Sequence, residues 1–477
     1  MKKAISLLAA LALIASFTAC GDSTPAGNDG NTADSQSSEV KESDSESESE
    51  SEADTKPAGD KGVINLYAFT DEVPKMVNKF VELHPDFGYT INDTQIPTTD
   101  GLYQPALDQA LADGSVDMFA AEAAFVLKYT QGEGSKYVAP YEDLGIDLNE
   151  VKTAEIAQYT VDIGTNPDGK LVGLGYQATG GAFIYRRSIA QDAFGSEEPA
   201  DVQKEIGPGW DKFFEAAEKL KAKGYGIVSG DGDMWHAVEN SSDKGWVVDG
   251  KLTIDPKREE FLDFSKKLMD NNYHNDTTDW TDNWYADMAG TGEKQVLGFF
   301  GPAWLINYVM AGNSGGEKPG EGTYGDWAVC EPPVGFFWGG TWVLGTKDSD
   351  KKEAVGQIIE WITLNTDEDG LQYMWANGTF APNEDGTPGT KDTVGSNVVM
   401  KKSNGEVSFL GGQNMFDVFV PANENATGKN LTPYDEDINS LWRDQVRQYA
   451  HGEKDRDTAL ADFKQAVSDK LDIEAAE

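Results

Sequence analysis

The sequence predicts an α/β protein built as two large lobes, on three observations: its length, its composition and a recurring strand-then-helix pattern. At 477 residues the chain exceeds the roughly 100 to 200 residues of one domain, which leaves room for two or three. A composition 39% hydrophobic and 25% charged is that of a globular chain rather than a disordered one. Val63 to Phe69 reads as a strand, and Val73, Met76, Val77, Phe80 and Val81 follow at helical spacing with Pro74 in the first turn. Tyr103, Ala106, Leu107, Ala110 and Leu111 mark a second helix, and Asp117 to Ala121 a second buried strand that opens toward Glu122. Strands alternating with helices predict a largely parallel sheet covered on both faces.

Further along, Gly169 to Tyr185 reads as two strands joined by a glycine-bearing link, followed by helices over Trp210 to Lys223 and Pro256 to Met269. A second lobe begins there. Trp327 to Leu344 returns to strand character broken by prolines and glycines, ahead of a helix from Lys352 to Leu364, so the chain crosses between lobes more than once. Leu460, Phe463, Val467 and Leu471 form the face of a closing amphipathic helix. No tandem repeat recurs at a fixed period.

The first sixty residues are of another kind. Lys2 and Lys3, an apolar run from Ala4 to Phe17 and small residues before Cys20 have the layout of a secretory signal, with a run too short to span a bilayer. Thr18-Ala19-Cys20-Gly21 resembles the bacterial lipobox, with Phe17 where leucine is usual, which implies residues 1–19 as signal peptide and Cys20 as the lipidated first residue. A plain secretory signal with a chance cysteine is the alternative. Residues 20–62 hold little that could build a core, and Ser43 to Glu52 alternates serine with acid, the composition of a solvated tether.

Charge narrows the function. The chain carries 82 acidic against 39 basic side chains, a net charge of −43, which excludes a protein that neutralises nucleic-acid phosphates. Gly21 to Gly62 holds 12 acids and 3 bases, so the body from Val63 keeps 70 acids against 34 bases with Lys2 and Lys3 set aside. Its ligand is expected to be neutral or cationic rather than polyanionic. Cys20 and Cys330 leave no internal disulfide or cysteine-based metal site, and His84, His236, His274 and His451 have no metal-ligand spacing. Asp231-Gly232-Asp233 could start a calcium loop but has no glutamate at the twelfth position, so a turn is the simpler reading. No GxxxxGK[ST] phosphate loop is present, and no cofactor is expected.

Several segments, in order, resemble the extracellular solute-binding proteins of carbohydrate ABC importers, the family that includes the maltose-binding proteins. They are INLYAFTDEVPKMVNKFVELHP, YQPALDQALADGSVDMFAAEAAF, VLGFFGPAWLINY, WAVCEPPVGFFWGGTWVL and KKEAVGQIIEWITL. Each is mostly a packing pattern; their order and their union with a lipoprotein signal carry the resemblance, which spans Val63 to Glu477. It implies a two-lobed periplasmic-binding-protein-like fold with a hinge, closing on a sugar in the interlobe cleft. By analogy the N-terminal lobe holds residues 63–178 plus 327–346, and the C-terminal lobe 179–326 plus 347–477. It further implies a monomer, lipid-anchored on the outer face of the cell membrane, that hands an oligosaccharide to ABC permease subunits and performs no catalysis. A lipid-anchored glycoside hydrolase and a receptor for a non-sugar solute are the alternatives; the first needs two carboxylates roughly 5 to 9.5 Å apart across one bond.

In open parallel sheets ligands bind beyond the carboxyl ends of the strands, which singles out Asp71 and Glu122; Asp71 also suits a helix N-cap, and Glu122 a first-turn acid. Gln177, after the strand ending at Tyr176, offers both donor and acceptor. Twelve tryptophans matter because an indole can stack on the CH face of a sugar ring while polar groups read its hydroxyls. Trp280 and Trp284 lie among acids and amides, and Trp338 precedes Gly339-Gly340, where backbone can approach a ligand. The resemblance adds Trp304, at the position of a sugar-stacking ring, and Trp375, a late cleft residue. Trp361 and Trp442 sit on helix faces, Trp361 assigned to packing and Trp442 ambiguous.

Overall fold

The computed structural model describes residues 61–476, so the signal, Cys20 and most of the tether lie outside the described residues. Among the described residues, ten strands form two principal sheets and a small hairpin. The first sheet has the order β2-β1-β3-β10-β4, with β1 Gly62–Ala68, β2 Tyr89–Gln95, β3 Met118–Glu122, β4 Leu174–Gly175 and β10 Thr341–Gly345. The second has the order β8-β5-β9, with β5 Ala182–Arg186, β8 Gly298–Gly301 and β9 Trp327–Cys330. β6 Val247–Val248 and β7 Lys251–Leu252 make the hairpin.

The opening elements fall where the pattern places them. The helix Glu72–Leu83 buries Val73, Met76, Val77 and Phe80, and β1 runs parallel to both β2 and β3. The expectation of a largely parallel sheet holds only for β2-β1-β3: in the first sheet β10 runs antiparallel to both β3 and β4, and in the second β5 is antiparallel to both neighbours. The reason is the route of the chain. β4 leaves the first lobe and β10 re-enters it, while β5 enters the second lobe and β9 leaves it. Exit and entry strands lie side by side and therefore run in opposite directions, as the β4–β10 and β5–β9 pairs do.

Two lobe boundaries need correction. Residues 327–330, expected in the N-terminal lobe, form β9 and pair with β5 of the second sheet. The helix Lys352–Thr363, expected in the C-terminal lobe, buries Val355, Ile358, Ile359, Trp361 and Ile362 in the same core as Val77 and Phe80. It follows β10 by a short connection, and consecutive elements usually pack as neighbours. The chain returns to the second lobe only after the helix Leu371–Ala376, whose Gln372 side chain donates to the carbonyls of Tyr176 and Ile362 at 2.9 and 2.8 Å. The long helices Asp435–Ala450 and Arg456–Leu471 then complete the second-lobe core around Trp246, Trp442 and Phe463.

The connections between β4 and β5 and between β9 and β10 bond to each other as they cross. Gly181 N donates to Phe336 O at 2.8 Å and Trp338 N to Thr179 O at 3.1 Å. The Thr179 hydroxyl donates to Gly339 O at 2.8 Å. Gly181 permits this approach: a Cβ there would lie 2.0 Å from the Phe336 ring. Gly181→Ala is expected to lower stability by about 1–3 kcal/mol, the scale of overpacking a filled site. A denaturant titration checks this, and an unchanged midpoint would show that the crossing segments yield freely.

Candidate functional site

The crossing segments open onto a cleft. Three tryptophans meet there from different parts of the second lobe and hinge. Trp304 follows β8 at the entrance to the π-helical turn Leu305–Met310, Trp280 precedes the helix Asp282–Met288, and Trp338 lies on the β9–β10 crossing. Trp304 and Trp338 are 4.7 Å apart edge to face, and Trp280 lies 6.1 Å from Trp304 with the planes parallel to within 7°. The Trp304 indole N–H donates to Trp338 O at 2.9 Å, fixing the crossing loop against the second lobe. Trp280 is 37% exposed, the most open indole of the three. It also has φ of 65°, a left-handed conformation unusual for a bulky residue and one that concentrates at ligand sites.

Phe69, Thr70, Glu72, Glu122, Tyr176 and Gln177 face these rings across a cavity of about 410 Å³. Glu122 ends β3 opposite Thr341, so the sheet register itself carries its carboxylate to the crossing segments. Its Oε2 accepts the Ala124 N–H at 2.7 Å. Burial, supplemented by Glu436 across the cleft, pushes its carboxyl up to about 7 although the Ala124 and Ala123 amides pull the other way. Gln177 donates to Asp392 at 2.9 Å, and burial raises that carboxyl to about 7 as well. The Tyr176 hydroxyl bonds Glu72, whose carboxyl burial also raises. Gln177 is thus a lining residue whose amide N–H is already engaged.

The other expected ligand groups are not all brought together. Trp284 is 1% exposed, and its indole donates to buried Asp233 at 2.9 Å. It packs beneath Trp280 at 5.4 Å, so the expectation that Trp284 contacts solute is corrected: its ring is filled on all sides and supports the exposed one. Asp71 is exposed, ion-paired with Lys75 at 2.7 Å, and makes no capping bond with its side chain. Asp71 and Trp375 instead line an adjoining cavity of about 300 Å³ that shares Glu72 and Tyr308 with the main cleft. The candidate calcium segment is structural: Asp233 accepts Ser229 N and Gly230 N at 2.9 and 3.0 Å as well as the Trp284 indole. Among the described residues no cluster of His, Cys, Asp or Glu is arranged to hold a metal ion, and no helix is long and apolar enough to cross a membrane.

Sequence reasoning missed the wall opposite Glu122. His236 stacks on Trp338 at 4.6 Å, and beyond it lie Glu239, Asp435, Glu436 and Asn439. A neighbouring cavity of about 500 Å³ continues past Trp280 toward Asp279, Arg443 and Arg447. A signal was available: Glu436, Asn439, Ser440, Arg443 and Arg447 fall at i, i+3, i+4, i+7 and i+11 along one helix, a polar stripe beside the apolar one.

Two lobes, paired crossings and an aromatic-lined cleft between them define a two-lobed solute-binding protein. A family profile described as "Bacterial extracellular solute-binding protein" matches residues 68–368, and the chain belongs to that family. Membership assigns it to the extracytoplasmic side of the cell. Solved structures share the fold at low identity. A crystal structure of an extracellular solute-binding protein of family 1 has a TM-score of 0.69 at 18% identity, covering 85% of this chain and 99% of that one. The sugar-binding protein MalE from Xanthomonas citri has a TM-score of 0.64 at 16% identity, covering 85% and 96%. The galacto-N-biose/lacto-N-biose I-binding protein of the ABC transporter from Bifidobacterium longum has 0.61 at 16%, covering 88% and 99%. No curated protein matches the chain in sequence.

The raised Glu122 carboxyl has a measurable sign. It binds its proton more tightly folded than unfolded, so its contribution to stability falls as pH rises from the ordinary glutamate value through about 7. Glu122→Gln, which mimics the protonated form, is expected to melt near the parent at about pH 5 and above it at about pH 8. Parallel thermal melts read the difference; a gap that does not widen with pH would show that Glu122 ionises without cost.

Proposed function

We propose that this protein is the receptor of a carbohydrate ABC importer: it captures an oligosaccharide in the cleft and delivers it, uncleaved, to permease subunits in the membrane. The observation that carries this reading is the surface of Trp280, Trp304 and Trp338 facing carboxylates and amides across the cleft. Indoles cover the apolar face of a pyranose, and ionised or amide groups bond its rim hydroxyls in fixed geometry. The cleft lies between separate cores joined by crossing segments, so a sugar touching both lobes favours the closed arrangement over the open one. Fold neighbours were solved with lacto-N-biose and with β-1,6-galactobiose, and another with cycloalternan. The reading includes the signal peptide, lipidation at Cys20 and a monomer held outside the membrane by its acidic tether.

Calorimetric titration against a panel of α- and β-linked oligosaccharides, with the sugars re-analysed afterwards, tests it. Binding with intact sugar supports the receptor; cleavage points to a hydrolase; silence across the panel points to a non-sugar solute. Trp280→Ala and Trp304→Ala are each expected to weaken binding by about 1–3 kcal/mol, the scale of losing a well-placed aromatic contact. Unchanged affinity in both, with circular dichroism intact, would remove the aromatic surface from the binding site.

A further inference from the structure

The cleft does not end at the three indoles. Its main cavity of about 410 Å³ meets the cavity of about 500 Å³ at Trp280 and Trp338, and the one of about 300 Å³ at Glu72 and Tyr308. The two outer cavities share no lining residue, so the three succeed one another as a groove rather than surround a single point. Even the smallest is at the lower end of the roughly 300–1,000 Å³ that buries a drug-sized ligand, and one pyranose ring is smaller than such a ligand. Neither end of the groove is closed: Asp71 and Lys75 are exposed at one mouth, and Arg447 is partly exposed at the other.

Aromatic side chains mark the whole path. Trp280 borders the first two cavities, Trp304 lies on the middle one, Tyr308 borders the middle and the last, and Trp375 lines the last. Trp304 stands at the entrance of the π-helical turn Leu305–Met310 and Tyr308 lies within it, so one local element carries the aromatic surface from one cavity into the next. Tyr176, on the middle cavity, meets the Trp375 ring edge to face at 5.9 Å and makes that surface continuous. Among the described residues the exposed large aromatic side chains are Trp280, Tyr308 and Tyr434, with Tyr308 45% exposed. Two of these three stand where neighbouring cavities meet, with apolar ring surface open for a sugar to cover. Hydroxyls for rim contacts accompany the rings: Ser440 in the first cavity, Thr70 and Thr341 in the middle one, Thr390 in the last.

We infer that the bound oligosaccharide has at least three rings and lies lengthwise along Trp280, Trp304, Tyr308 and Trp375, with Tyr308 and the cavity beyond it forming a further sugar subsite. This rests on the carbohydrate reading above and deepens it to a ligand size and a mode of binding. The open ends mean that interior units are gripped and that longer chains extend into solvent. Tyr308 comes from the second lobe, while Glu72 and Trp375 come from the first. A ring in this subsite therefore touches both lobes and adds to the preference for the closed state.

The test uses the full chain and length series, from monosaccharide to hexasaccharide, of α-1,4-glucan, β-1,4-glucan and β-1,4-galactan, titrated by calorimetry. In the series that binds, affinity should rise by on the order of tenfold per unit up to the trisaccharide, the scale of one aromatic contact, and by less than about twofold from tetrasaccharide to hexasaccharide. Tyr308→Ala should weaken trisaccharides and longer chains by on the order of tenfold and leave the disaccharide within about twofold, and Tyr308→Phe should bind like the parent. Thr390→Arg, which narrows the same cavity from an exposed loop and spares the cores, should give the same length-selective loss. A disaccharide that binds as tightly as every longer chain overturns this inference, as do variants that weaken short and long chains alike or neither. Both results leave the sugar receptor standing. Silence from every series overturns the carbohydrate reading and this inference together.

Discussion

The structure depends on two connections that cross between lobes while hydrogen-bonded to each other. Residues on either side of Thr179 and Phe336 exchange backbone bonds at close range, and glycine at 181 leaves space for the Phe336 ring. From that contact follow the antiparallel pairs β4–β10 and β5–β9, because each lobe receives its entry strand beside its exit strand. The same contact presents Trp338 and Gly339 at the floor of the cleft, while the register of β10 on β3 holds Glu122 beside them. The crossing segments and the candidate binding surface are therefore one piece of chain, and on the proposed function a solute that contacts it would act directly on the connection between the lobes.

Packing and exposure divide the tryptophans by what surrounds them. Trp327, Trp342 and Trp442 fill cores, and Trp284 sits in a layer beneath the cleft with its indole N–H satisfied by Asp233. Trp280 stands on that layer in a left-handed backbone conformation, an arrangement that persists where neighbouring structure over-determines it. A rigid underlayer limits the rotamer freedom that a stacking ring loses on binding.

The opening strand and helix, the second strand ending at Glu122 and the closing helix were legible because their apolar spacing reports directly on one buried face. So were Trp304 and Trp338 as cleft residues, one through resemblance and the other through its glycine neighbours. Trp280 and Trp284 were indistinguishable in sequence: both sit among acids and amides, and four positions along a short turn and helix separate an exposed ring from a buried one. The lobe assignment failed at β9 and at the helix Lys352–Thr363 because apolar periodicity states that a face is buried without saying against which core.

By itself, the sequence determined the α/β character, the acidic body and the density of aromatic side chains, since these follow from composition and from periods of two and 3.6 residues. Tertiary structure alone decided which carboxylates share a compartment. Glu122, Glu239 and Asp435 are more than a hundred residues apart and meet only because the crossing segments bring the end of β3 against two helices of the other lobe. Electrostatic coupling depends on distance and burial in space, which no one-dimensional pattern records.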